Sequence, residues 1–225
     1  MPEKEVFGLQ KKQLVESMKL NQAVGSKAVE EAFLKVPREE FVSPQYRSQA
    51  YSDTALPIGF FQTISQPSTI AAMLELLEVK PGQKVLEVGL GSGYVAALLS
   101  NLVGEKGKVY AIEFLKGLID FSKSNLERTG VKNVEIIQGD GSQGLQAKAP
   151  FDRILVSCAC PFIPKPLVDQ LAEKGRIVAP VGDLYMQYFE VIQKIKGKIL
   201  KKQASDQMFV FVPLRGKYGF QKDSF

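Results

Sequence analysis

Three glycines spaced two apart, Gly89, Gly91 and Gly93, follow directly on the largely apolar run Val85–Leu86–Glu87–Val88. A helix-like run from Tyr94 to Val103 comes next. This order reads as a strand, a tight turn and a helix N-terminus. Glycine lets the backbone adopt left-handed angles and lets a ligand come close. The helix end offers N–H groups that have no partner within the helix. The segment therefore has the makings of a binding loop. It is not the dinucleotide fingerprint G-x-G-x-x-G, whose last glycine would fall where Tyr94 stands.

The remaining pattern, G-x-G-x-G with Glu87 two residues upstream, resembles the S-adenosylmethionine (AdoMet) loop of class I methyltransferases. Two further acids fit that order. Lys108–Glu113 reads as the next strand, and in doubly wound folds an acid at that strand's tip accepts hydrogen bonds from ribose hydroxyls. Glu113 follows the loop by about 20 residues. A third strand, Val134–Gln138, leads into Gly139–Asp140–Gly141, where Asp140 could meet an adenine edge.

Composition narrows the chemistry. The chain contains no histidine, which excludes Ser-His-Asp and Cys-His catalysis and histidine metal sites. Cys158 and Cys160 are too close in sequence for an ordinary structural disulfide and read as small buried thiols. Two thiols without histidine do not make a zinc site, so no metal is expected. The charge of +5 is mildly basic. Lys194, Lys196, Lys198, Lys201 and Lys202 read as the solvated rim of a hairpin turning at Gly197, so nucleic acid is not an expected partner. With 45% apolar residues the chain can build a core. No run approaches the roughly 18 apolar residues of a membrane span, and the N-terminus lacks a signal-peptide core. A cytoplasmic protein, monomeric and without a membrane partner, is expected.

The elements that must hold these residues can be read in outline. Residues 8–20 and 26–36 read as amphipathic helices, the second stopped by Pro37. Residues 43–66 read as a long connection with little periodicity, and such loops are usually functional. Pro67 suits a helix first turn, and that helix runs to about Leu77. Strand and helix then alternate to about Pro180, which argues for a parallel sheet covered on both faces. Tyr188–Ile195 and Ile199–Val212 read as an antiparallel hairpin at one sheet edge. Residues 1–225 read as one domain. Within it, 1–66 supplies N-terminal helices and an active-site loop, and 67–225 supplies the cofactor-binding core.

The loop upstream of the glycines carries clustered hydroxyls and amides just before the helix at Pro67. Such a place favours anions. A structural role stands beside that one, with Ser65 or Gln66 capping the helix.

At this point the chain resembles the protein-L-isoaspartate O-methyltransferase family over roughly residues 30–220. The carriers are Pro37–Arg38–Glu39–Glu40–Phe41–Val42, Leu56–Pro57–Ile58–Gly59, Gln62–Thr63–Ile64–Ser65–Gln66–Pro67 and Glu87–Val88–Gly89 with Gly91–Ser92–Gly93–Tyr94. Gly139–Asp140–Gly141 with Gly144, Pro150–Phe151–Asp152, Pro180–Val181–Gly182 with Gln187, and Val212–Pro213–Leu214 continue the match. The P-I-G…Q-T-I-S-x-P block is specific to that family, whereas the glycine loop is widely shared.

The resemblance implies an α/β, doubly wound, Rossmann-like fold: a mostly parallel seven-stranded sheet with helices on both faces, an antiparallel C-terminal hairpin and an N-terminal helical addition. It implies that Ser65 and Thr63 are catalytic, within a loop that closes over cofactor and substrate. AdoMet would be held by Ile64, Glu87, Gly89, Leu90, Gly91, Gly93, Glu113, Phe114, Asp140 and Gly141. The isoaspartyl substrate, carried on damaged proteins and peptides, would be held by Ile58, Gly59, Phe61, Gln62, Val181 and Gly182. Three departures stand out: Phe61 where the family usually has Gly, Cys158–Ala159–Cys160–Pro161 in place of alanines, and Lys174–Gly175 in place of Gly-Gly.

The chemistry suits a chain without histidine. The free α-carboxylate of an isoaspartyl residue has a pKa near 4 and is ionised at neutral pH, so it needs no general base. A Ser65 hydroxyl would orient it, not attack. A methyltransferase acting on nucleic acid or a small molecule, and a non-enzymatic AdoMet-binding module, are the alternatives. Against the nucleic-acid reading, Cys158–Ala159–Cys160–Pro161–Phe162 lacks the Asn or Asp that amino methylation of bases commonly uses.

Overall fold

The computed structural model describes residues 3–221, so residues 1–2 and 222–225 of the expected domain lie outside the described residues. The chain opens on two helices, α1 (Glu3–Leu20) and α2 (Lys27–Lys35). The first begins earlier than the expected position 8. Glu3 and Glu5 place negative charge in its first turn, which the helix dipole favours. Phe7 anchors that turn, buried against Tyr51 with ring centroids 6.1 Å apart. Ser26 caps α2 by accepting the Val29 N–H at 3.3 Å, and the helix stops at Val36, before Pro37.

Residues 43–66 are more ordered than expected. They contain an antiparallel hairpin, β1 (Leu56–Gly59) and β2 (Gln62–Ile64). Its two-residue turn is Phe60–Phe61, both left-handed, at φ 53° and 57°. Such turns are normally built from Asn and Gly, so the usual hairpin signal is missing here. The Gln62 side-chain amide donates to the Phe60 and Phe61 carbonyls at 3.2 and 3.0 Å and steadies the turn.

Helix α3 (Pro67–Leu77) follows. Asp53 caps it from outside, accepting the Ser68 N–H at 2.8 Å, while Gln66 at the N-cap makes no side-chain capping bond. From there strands and helices alternate: β3 (Lys84–Val88), α4 (Tyr94–Val103), β4 (Lys108–Glu113), α5 (Lys116–Arg128), β5 (Val134–Gln138), β6 (Phe151–Val156), α6 (Lys165–Asp169) and β7 (Leu171–Gly182). Two more strands, β8 (Gln187–Ile195) and β9 (Lys198–Gln203), complete the sheet.

The seven-stranded sheet runs β5-β4-β3-β6-β7-β8-β9. The first five strands in that order are parallel, β8 pairs antiparallel with β7, and β9 pairs antiparallel with β8. Since β4 and β6 flank β3 on opposite sides, the chain reverses direction across the sheet at β3. In such sheets ligands bind outside the carboxyl ends of the strands at that switch point. The glycine loop leaves β3 there.

Side chains alternate across the sheet. Val85 belongs to one core, shared with α1, α2 and α3, while Leu86 and Val88 belong to the other, with Ile154, Val156 and Ile177. The first core joins Phe7 and Phe33 of the N-terminal helices to Phe189 and Phe211 near the C-terminus.

The last expected strand, Ile199–Val212, ends at Gln203. Ser205, Asp206 and Gln207 form a turn in which the Ser205 hydroxyl accepts the Gln207 N–H at 3.0 Å. The chain then returns beside Gln187, with Phe209 and Gln187 exchanging two backbone hydrogen bonds at 2.9 Å.

Candidate functional site

Two clefts lie at the carboxyl end of the sheet. The first is lined by Gly89 and Gly91 of the glycine loop, Glu113 and Phe114 at the end of β4, Gly141, and Gln62 and Thr63 of the hairpin. The cleft is open to solvent, with about 600 Å³ of unfilled space including its mouth. The second is lined by Thr63, Ser65, Gln66 and Thr69 on one side and residues 207–212 on the other. Thr63 and Val212 line both, so the clefts meet at those two residues.

Local backbone builds the first cleft. The Gly89 and Leu90 N–H groups donate to the Ile112 carbonyl at 2.9 and 3.2 Å and bind the loop to β4. Gly91 sits at φ 56°, where a side chain would be strained, and its N–H donates to Glu113 Oε2 at 2.9 Å. Glu113 Oε1 accepts the Leu115 N–H at 2.9 Å. Each Glu113 oxygen thus keeps one lone pair for a ligand hydroxyl. Gly93 is the N-cap of α4.

The hairpin closes this cleft from above. Phe60 lies so tightly over Gly117 of α5 that a Cβ there would fall 2.1 Å from the ring. A larger residue there would push the ring aside. The neighbouring Phe61 ring is 100% exposed. Ile58 is buried and approaches Gly91, whose hypothetical Cβ would lie 3.5 Å from Ile58 Cδ1.

Several of the expected contact residues also make bonds within the protein. Glu87 is fully buried and does not line the cleft. Its Oε1 accepts the Ser157 hydroxyl at 3.2 Å, and its Oε2 has no partner. Burial, opposed by the Ser157 bond and reinforced by the Glu113 charge, pushes its pKa well above the ordinary carboxylate range. The neutral form of this carboxyl is thereby favoured.

Asp140 is engaged within the protein. Oδ1 accepts the Ser142 N–H and hydroxyl at 2.9 and 2.6 Å, and Oδ2 accepts the Gln143 amide and the Lys217 N–H at 3.0 and 2.9 Å. Partial desolvation raises its pKa, but these four bonds outweigh that and hold it below the usual value. Asp140 fastens the C-terminal segment to the sheet, while its neighbour Gly141 lines the cleft.

Leu90 packs with Ala96 and Ala111, Ile64 is buried in the main core, and Gly59 ends β1 at the hairpin turn. Val181 and Gly182 end β7 beside Cys160, with the Gly182 N–H donating to the Cys160 carbonyl at 3.1 Å. They line neither cleft. Ser65 lines the second cleft and is not needed as a cap.

Sequence reasoning missed the segment 207–215, which lines both clefts. Its anchor is Gln187, which is fully buried. Gln187 Oε1 accepts the Phe211 N–H at 2.8 Å, and its amide donates to the Asp183 carbonyl at 2.6 Å. The Phe189 and Phe209 rings stack at 4.0 Å beside it. Cys158 lines the first cleft as a free thiol whose pKa is pushed well up, by burial first and then by Cys160, Glu113 and Glu87. Among the described residues no cluster of His, Cys, Asp and Glu could hold a metal, and no helix is long and apolar enough to cross a membrane.

Comparison with known proteins agrees with this geometry. The family model for protein-L-isoaspartate(D-aspartate) O-methyltransferase matches residues 9–219. Protein-L-isoaspartate O-methyltransferase of Pyrococcus horikoshii is 46% identical over 224 residues, covering 99% of this chain and 100% of that one. The Aeropyrum pernix protein of the same name is 46% identical over 212 residues, covering 93% of this chain and 81% of that one. A solved protein-L-isoaspartate O-methyltransferase superposes with a TM-score of 0.83 at 31% identity, covering 93% of this chain and 67% of that one. A Plasmodium falciparum structure in complex with S-adenosyl-L-homocysteine superposes with a TM-score of 0.79 at 29% identity, covering 91% and 97% of the two chains.

Proposed function

This chain belongs to the protein-L-isoaspartate(D-aspartate) O-methyltransferase family, and from that premise we propose how its two clefts divide the family's reaction. The protein is an AdoMet-dependent methyltransferase that esterifies the free α-carboxylate of L-isoaspartyl residues in damaged proteins and peptides, the step that begins their repair.

The observation that carries the division is the meeting of the clefts at Thr63. The cleft under the glycine loop takes the donor. Glu113 offers its two remaining lone pairs to the ribose hydroxyls, Gly89, Gly91 and Gly141 leave room for close approach, and Phe114 flanks them. AdoMet, when bound, supplies a methyl group on a sulfonium, a good leaving group. The cleft that holds Ser65 takes the isoaspartyl group. Its carboxylate is already ionised at neutral pH, so the protein's work is to hold it in line with the methyl. The Ser65 hydroxyl donates one hydrogen bond to a carboxylate oxygen. A neutral donor orients that oxygen without neutralising it as a nucleophile. Thr63, at the junction, borders both partners.

Residues 1–66 bring the hairpin and Ser65, residues 67–225 bring the donor cleft, and the two act as one domain. One continuous core reaching from Phe7 to Phe211 supports that reading. The proposed working unit is a monomer acting on damaged polypeptides. The free thiols Cys158 and Cys160 fit a reducing cytoplasm. The test is methyl incorporation into an isoaspartyl peptide beside its normal aspartyl twin. The isoaspartyl peptide should gain one methyl and the twin none. Equal labelling, or none, would overturn the reading.

A further inference from the structure

Arg38 is fully buried, and its hydrogen bonds all go to backbone carbonyls, none to a carboxylate. Nε donates to Ala50 O at 2.9 Å, and Nη2 donates to Ser65 O at 2.9 Å and reaches Thr54 O at 3.5 Å. The plane lies over the Tyr94 ring, 5.0 Å from its centroid. Nη1 has no partner.

These contacts link two parts of the site that are far apart in sequence. Ser65 stands on the acceptor side. Tyr94 is the first residue of α4, directly after Gly93, and it is wedged between Phe33 and Phe41. Arg38 therefore fastens the backbone of the acceptor loop to the helix that carries the donor loop. A buried cation with no carboxylate in direct contact is an expensive way to tie down a loop if stability alone were at stake. Lysine could not replace it, because only the planar fork reaches separate carbonyls while stacking on a ring. Burial lowers the Arg38 pKa to about 10, with Tyr94, Tyr51 and Asp53 opposing, so the group stays charged at neutral pH.

We propose that Arg38 is a positioning residue for methyl transfer: by holding the Ser65 carbonyl against the Tyr94 helix it sets the placement of the Ser65 hydroxyl relative to the bound donor. The proposal rests on the reading of Ser65 as the group that orients the acceptor carboxylate. Arg38 itself touches neither substrate. Its loss should appear in the rate of transfer and not in donor affinity.

The experiment is a cycle of Arg38→Lys and Ser65→Ala, read as kcat with an isoaspartyl peptide and as AdoMet affinity by calorimetry, below the melting temperature of each variant. Arg38→Gln, which removes the charge but keeps an amide donor, is the second variant if the lysine form does not fold. Arg38→Lys is expected to lower kcat by roughly tenfold or more with AdoMet affinity nearly unchanged. In the Ser65→Ala background it should lower kcat no further, because both changes remove the same interaction. Equal fold-losses in both backgrounds would overturn the proposal, as would a lowered melting temperature with normal kcat. Failure of the underlying reading shows separately, as a normal kcat in Ser65→Ala alone.

Discussion

The Glu113 carboxylate accepts the Gly91 N–H at 2.9 Å, so the acid at the tip of β4 is tied to the turn that follows β3. Its other oxygen accepts the Leu115 N–H at the same distance. Both oxygens are therefore aimed before any ligand arrives. Glu113→Gln keeps the shape but turns an NH₂ group toward one of those two N–H donors. AdoMet binding should weaken by about 1–3 kcal/mol, as calorimetry would register. Unchanged affinity would remove Glu113 from the donor site.

The fold was legible where its signals are local. The glycine loop and the strands ending at Val88, Glu113 and Gln138 stand where the pattern of apolar residues and turns placed them. The β1–β2 hairpin was not legible, because Phe60–Phe61 occupies a turn that ordinarily advertises itself with Asn or Gly. The internal role of Asp140 was not legible for another reason. Its side chain is claimed by Lys217, a residue 77 positions away, and no local pattern reports such a contact. The lining contributed by residues 207–215 depends on Gln187 in the same way. Ser65 as a candidate came from the family resemblance. The structure adds that the helix it precedes is capped by Asp53.

Phe61 stores strain with no packing in return, since it is left-handed and its ring is wholly in solvent. Left-handed non-glycine residues cost about 1–3 kcal/mol, and the greater freedom of glycine in the unfolded chain offsets part of that. Phe61→Gly should therefore stabilise the protein by about 1 kcal/mol, or roughly 2–4 °C in Tm. Activity should be kept or raised. A lower Tm would show that the ring has a structural partner.

Glu87 makes stability depend on pH in a definite direction. Its folded pKa is raised, so the native state keeps a proton that the unfolded chain releases. The contribution is fully present below the ordinary carboxylate pKa and is lost as pH rises through the folded value, by at most about 1.4 kcal/mol per pH unit. Glu87→Gln removes that slope. Urea unfolding of both proteins from pH 5 to 9 should show the variant gaining on wild type as pH rises. Parallel curves would mean that Glu87 is ionised in the folded protein.

With no histidine in the chain, no imidazole can control the rate. The pH–rate profile should show no controlling group near 6.5, and activity should survive EDTA. Loss in EDTA with recovery on adding a divalent ion would contradict the mechanism.

The central claim is that Ser65 orients the acceptor carboxylate. Since Asp53 already caps α3, Ser65→Ala should leave stability nearly unchanged. The deciding measurement is kcat/KM of Ser65→Ala with an isoaspartyl peptide, beside AdoMet affinity in the same preparation. A fall of roughly tenfold or more, about 1.4 kcal/mol of transition-state stabilisation, with donor affinity intact, is the predicted result. Wild-type kcat/KM in the folded variant would contradict the claim.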